Sequence, residues 1–455
     1  MCQETCLFKH QQSIVDELKQ DLKKITEIDD VDVEKKLNDL FEWLQISPKI
    51  TTFRVNTLLT DADKILTMLL NLKNINKSLS SISIESKLPE LIIIEAKKCH
   101  QEKEMINHDN EAVVDAACGA AVLRGSHVFA PGIMGLTGGN INDKINLYAD
   151  ITGLSKKGFI KKYDNDSKKY LGYGILRQTR NEIFHEGNCG TGLAIEMIET
   201  ISGLPQLNET DLPDGFVLLQ NFPSIICSRI VDPQPDDIVL DMCAAPGNKT
   251  THLSALMKNK GKIIAMEKIK SKISKMKNNC QKFGCKNVDI FCFDATKSVN
   301  NQITNENNNS LLEPPFFKQT FDKILLDGPC SVLGKRPQLF NKITCKELRA
   351  IVPLQKKLFT SAVELLKDGG TLVYSTCTIT IAENEEIVAW ALKNFPCLKL
   401  NPARQQYDSF NLEKYPVSSG YPIEDLPSNL ADNLLRFGSE NNTVGFFIAS
   451  FKKNT

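Results

Sequence analysis

The stretches FDKILLDGPCS, Phe321 to Ser331, and YSTCT, Tyr374 to Thr378, each run an apolar strand into a cysteine. A thiolate is a strong nucleophile, whereas a free thiol near neutrality is only slightly ionised. A nucleophilic cysteine therefore needs a setting that favours its anion. Asp327 precedes Cys330 in the same strand end and brings an acid beside it. Two thiols and an acid suit covalent catalysis in which one cysteine attacks and the other helps the product leave. Local chemistry leaves open which of Cys330 and Cys377 attacks.

These residues need elements to hold them. From Phe216 onward apolar strands alternate with helices: DDIVLDMCAAPG, GKIIAME, VDIFCFDA, FDKILLDGPC and GGTLVYSTCT, with helices between. That alternation predicts a doubly wound, mostly parallel sheet whose ligands bind at the carboxyl ends of the strands. VGFFIASFKK reads as a closing edge strand, and NNQITNENNNS, Asn300 to Ser310, as a disordered polar loop. Upstream, Val33, Leu37, Leu40, Phe41 and Leu44 share a helical face that Pro48 ends, and ITTFRVNTL reads as a strand. Between them, VLRGSHVFAPGI, DKINLYADI and YLGYGIL are short β-rich pieces with Gly, Asn and Lys turns, the pattern of a small barrel. The expected organisation is an N-terminal α+β region over 1–108, the barrel over 109–204 and the α/β domain over 205–455.

Composition constrains the rest. The chain has 455 residues, 55 basic against 55 acidic, 42% hydrophobic and 24% charged, an ordinary globular balance with no net pull on a polyanion. Charge is locally uneven, with eight Lys/Arg from Ile151 to Arg180 and ten Lys from Lys258 to Lys286. Such runs are commonly solvated faces. The N-terminus lacks the apolar core of a signal peptide and no run has the length of a membrane span. The 14 cysteines are therefore expected reduced, in the cytoplasm, with Cys227 and Cys292 as core fillers. No CxxC or HExxH occurs, so no metal site is expected.

The turn CAAPGNKT, Cys243 to Thr250, is small enough for backbone N–H groups to approach a ligand. It is not a phosphate-binding loop, because Asn248 and Cys243 stand where that motif needs glycine. Glu267 closes the second strand and suits a ribose diol, and Asp294 after the third could accept from an adenine amine. With no GxGxxG for a pyrophosphate, the order points to S-adenosylmethionine. A methyl donor beside two thiols suits cytosine. Its carbon-5 is a poor nucleophile until a thiolate adds at carbon-6, and an acid such as Asp327, protonated or sharing a proton, must meet the charge pushed into the ring. A base then removes the carbon-5 proton and the thiolate leaves.

DMCAAPGNKT, FDKILLDGPCSVLGKRP and TLVYSTCTITIAENEEIVAWAL closely resemble the motifs of the Nop/Sun family of RNA cytosine-5 methyltransferases, with FRVNTL, GFVLLQNFPS and GFFIASF matching its flanking motifs. The β-rich segment resembles the PUA domain inserted in one subfamily, which methylates tRNA near the acceptor end. The resemblance implies an S-adenosylmethionine-dependent methyltransferase with a Rossmann-like sheet. It implies that Cys243, Ala244, Ala245, Pro246, Gly247, Asn248, Lys249, Glu267, Asp294 and Asp327 hold the methyl donor, and that Lys249 and Asp327 also border the target base. It makes Cys377 the nucleophile and Cys330 the residue that assists release. Two departures stand out. Glu267 replaces a common Asp, and Asn248 replaces the second glycine of CAAPGGKT, which asks the asparagine to tolerate a left-handed backbone.

On the RNA side, Lys156 and Lys157 would track phosphates, with Lys161 and Lys162 beside them. Arg124 and Phe129 would meet the CCA end, although Phe129 reads equally as barrel core. Arg54, Asn56 and Asn221 lie in motifs that face RNA near the cleft. The expected partner is tRNA, at its acceptor stem and CCA end, bound by a monomer. The alternatives are an mRNA or rRNA substrate, or a non-catalytic RNA-binding protein that kept the fold.

Overall fold

The computed structural model describes residues 6–8, 11–26, 28–72, 79–96, 110–184, 190–207, 209–300, 312–439 and 441–454. The asparagine-rich stretch expected as a loop lies, apart from Asn300, outside the described residues. Among the described residues no helix is long and apolar enough to cross a membrane.

The largest sheet forms as the alternation predicts. Strands Val288–Cys292, Lys262–Glu267, Ile238–Asp241, Phe321–Asp327 and Leu366–Thr376 lie side by side in that order, all parallel. Successive residues in a strand face opposite layers. Leu240, Ile264, Leu326, Leu372 and Tyr374 pack one way, into helices Cys345–Leu365 and Glu385–Asn394. Val239, Ile263, Leu325 and Val373 pack the other way, against helix Phe222–Val231. Phe321, Phe359, Tyr374, Phe447 and Phe451 are fully buried, and each contributes about 1.5–3 kcal/mol by leaving water.

The strand Phe446–Lys453 is not at the edge. It runs antiparallel to Leu366–Thr376 on one side and pairs with Leu398–Asn401 and Leu435–Phe437 on the other. Its run FFIAS is buried throughout, which an edge strand would leave half wet.

The N-terminal region divides between two bodies. Helices Gln12–Leu22 and Asp30–Gln45 pack through Ile14, Leu18, Val33, Leu37 and Phe41 into the core of the large sheet. Strand Ile50–Val55 sits instead in a four-stranded antiparallel sheet with Leu79–Glu85, Leu88–Ala96 and Val217–Leu219. The chain therefore returns to this sheet after the β-rich segment, before it enters the α/β domain.

The β-rich segment forms a six-stranded sheet with its own core of Val114, Leu123, Ile133, Leu147, Leu171 and Ile195. Its two edge strands, Val128–Phe129 and Ile133–Leu136, are separated only by the turn Ala130–Gly132. That turn keeps the two edges close in space, as the expected small barrel requires. Within VLRGSHVFAPGI the first residues are helical rather than extended, because Asp115 caps a short helix, Ala116–Leu123, by accepting from the Cys118 N–H at 2.7 Å.

Candidate active site

The turn after strand Ile238–Asp241 lies at the carboxyl end of the large sheet, beside the reversal in strand order between Ile238–Asp241 and Phe321–Asp327. Gly247 adopts φ +98°, and a Cβ there would meet the Met276 side chain at 3.3 Å. The left-handed position is thus Gly247. Asn248 opens helix Asn248–Leu256 with ordinary helical backbone, so its replacement of glycine carries no left-handed strain. The Asp241 carboxylate accepts from Thr250 Oγ1 at 2.7 Å and ties the strand to the helix. Burial pushes the Asp241 carboxyl up to about 7.

Glu267 accepts from the Ile269 N–H at 2.7 Å through one oxygen, so its other oxygen keeps acceptor capacity at the strand end. Asp294 accepts from Thr296 and pairs with Lys268. Burial raises the Cys243 thiol above its ordinary range, and Asp241, Asp327, Glu267 and Asp294 add to the rise. Four carboxylates therefore surround one turn, a field that suits a cationic sulfonium. Glu267 retains an acceptor for a diol, and the residues fit S-adenosylmethionine.

The reactive groups converge next to this turn. Lys249 Nζ donates to Asp327 Oδ2 at 2.7 Å, and Ser375 Oγ donates to Asp327 Oδ1 at 2.7 Å. Burial opposes its charge, yet the Asp327 carboxylate holds the Lys249 ammonium above the usual lysine range. The ammonium also lies 5.2 Å from the centre of the Phe446 ring. Cys330 Sγ and Cys377 Sγ are 3.3 Å apart. Cys377 is lowered, chiefly by the hydrogen bond between the two sulfurs; Lys249 helps, while burial and Asp327 oppose. Cys330 is pushed well above the thiol range by that same bond, by burial and by Glu383. The two thiols, alike in sequence, are electrostatically unequal. The Cys377 carbonyl is held by the Gly334 N–H at 3.0 Å, where Gly334 touches Gly445 backbone too closely for any side chain.

Other expected site residues lie elsewhere. Arg54 is 1% exposed, with Nη1 donating to the Asn248 carbonyl at 2.6 Å and Nη2 to Thr251 Oγ1 at 2.8 Å. Asn56, also buried, donates to the carbonyls of Gly215 and Phe283. Arg54 braces the helix after the cofactor turn from inside, and Asn56 ties the end of strand Ile50–Val55 to Gly215 and Phe283, so both side chains are buried away from an RNA contact. Asn221 is exposed and stands at the start of helix Phe222–Val231 without a side-chain capping bond, lining a cleft of about 210 Å³ with Arg124, Gln220 and Thr443. Phe129 is 49% exposed and is not barrel core. Lys156, Lys157, Lys161 and Lys162 are exposed, whereas Lys168 is paired with Glu111 and Arg177 with Glu196. Cys227 is buried as expected, but Cys292, at a strand end, is exposed.

Sequence reasoning passed over Ser375, Gln355 and the run Glu383–Asn384–Glu385. The signal for the last three was their place directly after the Cys377 motif, a cluster of polar residues where a core was expected.

With this geometry in place, the family model described as 16S rRNA methyltransferase RsmB/F matches residues 228–452. A human protein, tRNA (cytosine(72)-C(5))-methyltransferase NSUN6, is 39% identical over 94% of this chain and 94% of its own. The tRNA (cytosine(72)-C(5))-methyltransferase of Pyrococcus horikoshii is 31% identical over 73% of this chain and 72% of its own. The crystal structure of NSun6 from Pyrococcus horikoshii with SFG superposes at a TM-score of 0.72 with 26% identity, covering 96% of this chain and 98% of that one. The chain belongs to the Nop/Sun, or RsmB/F, family of S-adenosylmethionine-dependent RNA cytosine-5 methyltransferases.

Proposed function

We propose that the protein methylates carbon-5 of a tRNA cytosine near the acceptor end, with Cys377 as nucleophile, Cys330 as the releasing thiol, and Asp327 and Lys249 at the pyrimidine. The observation that carries this reading is the convergence of a lowered thiol, a raised thiol and a Lys–Asp pair at one edge of the cofactor turn. The near-complete coverage of relatives named for cytosine 72 of tRNA supports the substrate.

The Cys377 thiolate adds to carbon-6 of the ring and the carbon-5–carbon-6 π pair moves to carbon-5. Lys249 stays protonated and offsets the charge driven into the ring, while the Asp327 carboxylate accepts from the cytosine amino group. S-adenosylmethionine, when bound, supplies an electrophilic methyl group, held by residues 243–249 with Glu267 and Asp294. A water molecule in the open cleft takes the carbon-5 proton, and the freed C–H pair re-forms the carbon-5–carbon-6 double bond and expels the Cys377 sulfur. Cys330, already hydrogen-bonded to that sulfur, protonates it as it leaves. To reach the site the base must leave its stack, which costs a few kcal/mol and least at a helix end.

On this reading residues 109–204 are a PUA domain that grips the acceptor stem. The exposed Lys156 and Lys157 track phosphates, the exposed Phe129 stacks on the CCA end, and Arg124 with Asn221 lines the path to the catalytic edge. Thiol chemistry of this kind suits a reducing compartment, and we place the protein in the cytoplasm. The protein acts as a monomer on one tRNA. Bisulfite sequencing of tRNA incubated with the protein and S-adenosylmethionine tests substrate and position together. A protected cytosine at the acceptor end is expected, and protection only in mRNA or rRNA would overturn the tRNA assignment.

A further inference from the structure

After Cys377 the chain loops into helix Glu385–Asn394, and Glu383, Asn384 and Glu385 at its start are 1%, 0% and 0% exposed. Three polar residues buried in succession are tolerated only when their atoms are hydrogen-bonded. Here the partners are the segments that carry the two cysteines. Glu383 Oε2 accepts from the Ser331 N–H at 2.9 Å and from Gln355 Nε2 at 3.2 Å. Gln355 Nε2 also donates to the Pro329 carbonyl at 3.1 Å, so Glu383 and Gln355 hold the residues on either side of Cys330. Glu383 Oε1 accepts from Thr380 Oγ1 at 2.8 Å.

Asn384 grips the other cysteine. Its Oδ1 accepts from Thr376 Oγ1 at 2.6 Å and its Nδ2 donates to the Thr378 carbonyl at 3.3 Å, so one amide straddles Cys377. Glu385 takes a bidentate bond from Arg436, at 2.8 and 2.6 Å, and Arg436 Nη1 donates to the Ile379 carbonyl at 2.9 Å. That buried pair anchors the base of the loop.

We infer that Glu383 and Asn384 are positioning residues with separate tasks: Glu383, with Gln355, sets the releasing thiol Cys330, and Asn384 sets the attacking thiol Cys377. The 3.3 Å between the sulfurs is thus held by Glu383 and Asn384 pulling on different segments, together with the Ser331–Thr378 hydroxyl hydrogen bond at 2.6 Å that joins those segments. This inference rests on the proposed roles of the two cysteines.

The test compares E383A, E383Q, Q355A and N384A with C330A and C377A. It measures single-turnover methylation of tRNA, covalent protein–RNA adduct on denaturing gels, and S-adenosylmethionine affinity by calorimetry. A misplacement near 1 Å costs on the order of 100-fold in rate. E383A and Q355A are expected to accumulate adduct as C330A does, because attack survives and release fails. N384A is expected to lose adduct and methylation together, as C377A does. E383Q keeps an amide oxygen for the Ser331 N–H and is expected to restore release. Unchanged methyl-donor affinity shows that a variant is folded. If E383A fails that check, Q355A and E383Q carry the Cys330 arm. The inference is overturned if the Glu383 and Asn384 variants share one phenotype, or if E383Q is as impaired as E383A. If adduct builds up in C377A and not in C330A, the cysteine roles themselves are reversed, and the E383A and N384A phenotypes should exchange with them.

Discussion

Replacing Lys249 with Met leaves the Asp327 carboxylate with Ser375 as its remaining described donor, at the bottom of the site. The side chains are 12% and 29% exposed, a pair mostly withdrawn from water. Breaking a fully buried pair by removing one partner costs about 3–5 kcal/mol. The solvent that reaches Asp327 lowers this to about 2–3 kcal/mol. Adding Asp327→Asn removes the stranded charge while its amide oxygen still accepts from Ser375. The double variant should recover much of the loss, with a coupling of about 1–2 kcal/mol. Urea unfolding followed by circular dichroism on the four proteins measures that cycle. Methylation should behave differently and stay lost in all three variants, because the ring needs the charge as well as the shape. Additive stabilities would refute the energetic reading of the pair, and near-normal turnover in K249M would refute its place at the base.

The other expectations concern the thiols, the buried arginine and a buried histidine. C330A should raise the pH at which Cys377 reacts with iodoacetamide, since the lost Cys330 hydrogen bond is the main cause lowering Cys377; an unchanged midpoint would contradict it. R54A should weaken S-adenosylmethionine binding, measured by calorimetry, with tRNA affinity in its absence unchanged, because Arg54 braces the helix after the cofactor turn. His252 is buried and lowered from 6.5 to about 4 by burial, against its hydrogen bond to the Glu90 carboxylate. The folded state therefore disfavours the proton, and stability present above pH 6.5 is lost as pH falls toward 4. The loss totals about 3 kcal/mol at 1.36 kcal/mol per unit, and H252Q should flatten that slope in urea midpoints between pH 7 and 4.

The α/β alternation was legible because each parallel strand is a short apolar run between turn signals, and the sheet formed where those runs fell. The strand Phe446–Lys453 was misread as an edge because its neighbours, Leu398–Asn401 and Leu435–Phe437, are too short to announce themselves. Asn248 was read as strained because the motif places two glycines together, yet helix geometry begins one residue earlier than the sequence pattern implied. Arg54 and Asn56 were expected at RNA because FRVNTL resembles a family motif beside the cleft. Their burial depends on carbonyls of the segment 215–283, far away in the chain.

By itself the sequence determined part of the chemistry: two thiols and an acid at strand ends, and a turn too poor in glycine for a phosphate. Those conclusions follow from residue types and periodicity, which are local. Only the tertiary structure decided how the two cysteines differ. Their inequality arises first from a hydrogen bond between residues 47 apart in sequence, with burial, and then from the charges of Lys249 near Cys377 and Glu383 near Cys330. Proton affinity is set by what surrounds a group in space, and neither strand end carries that information alone.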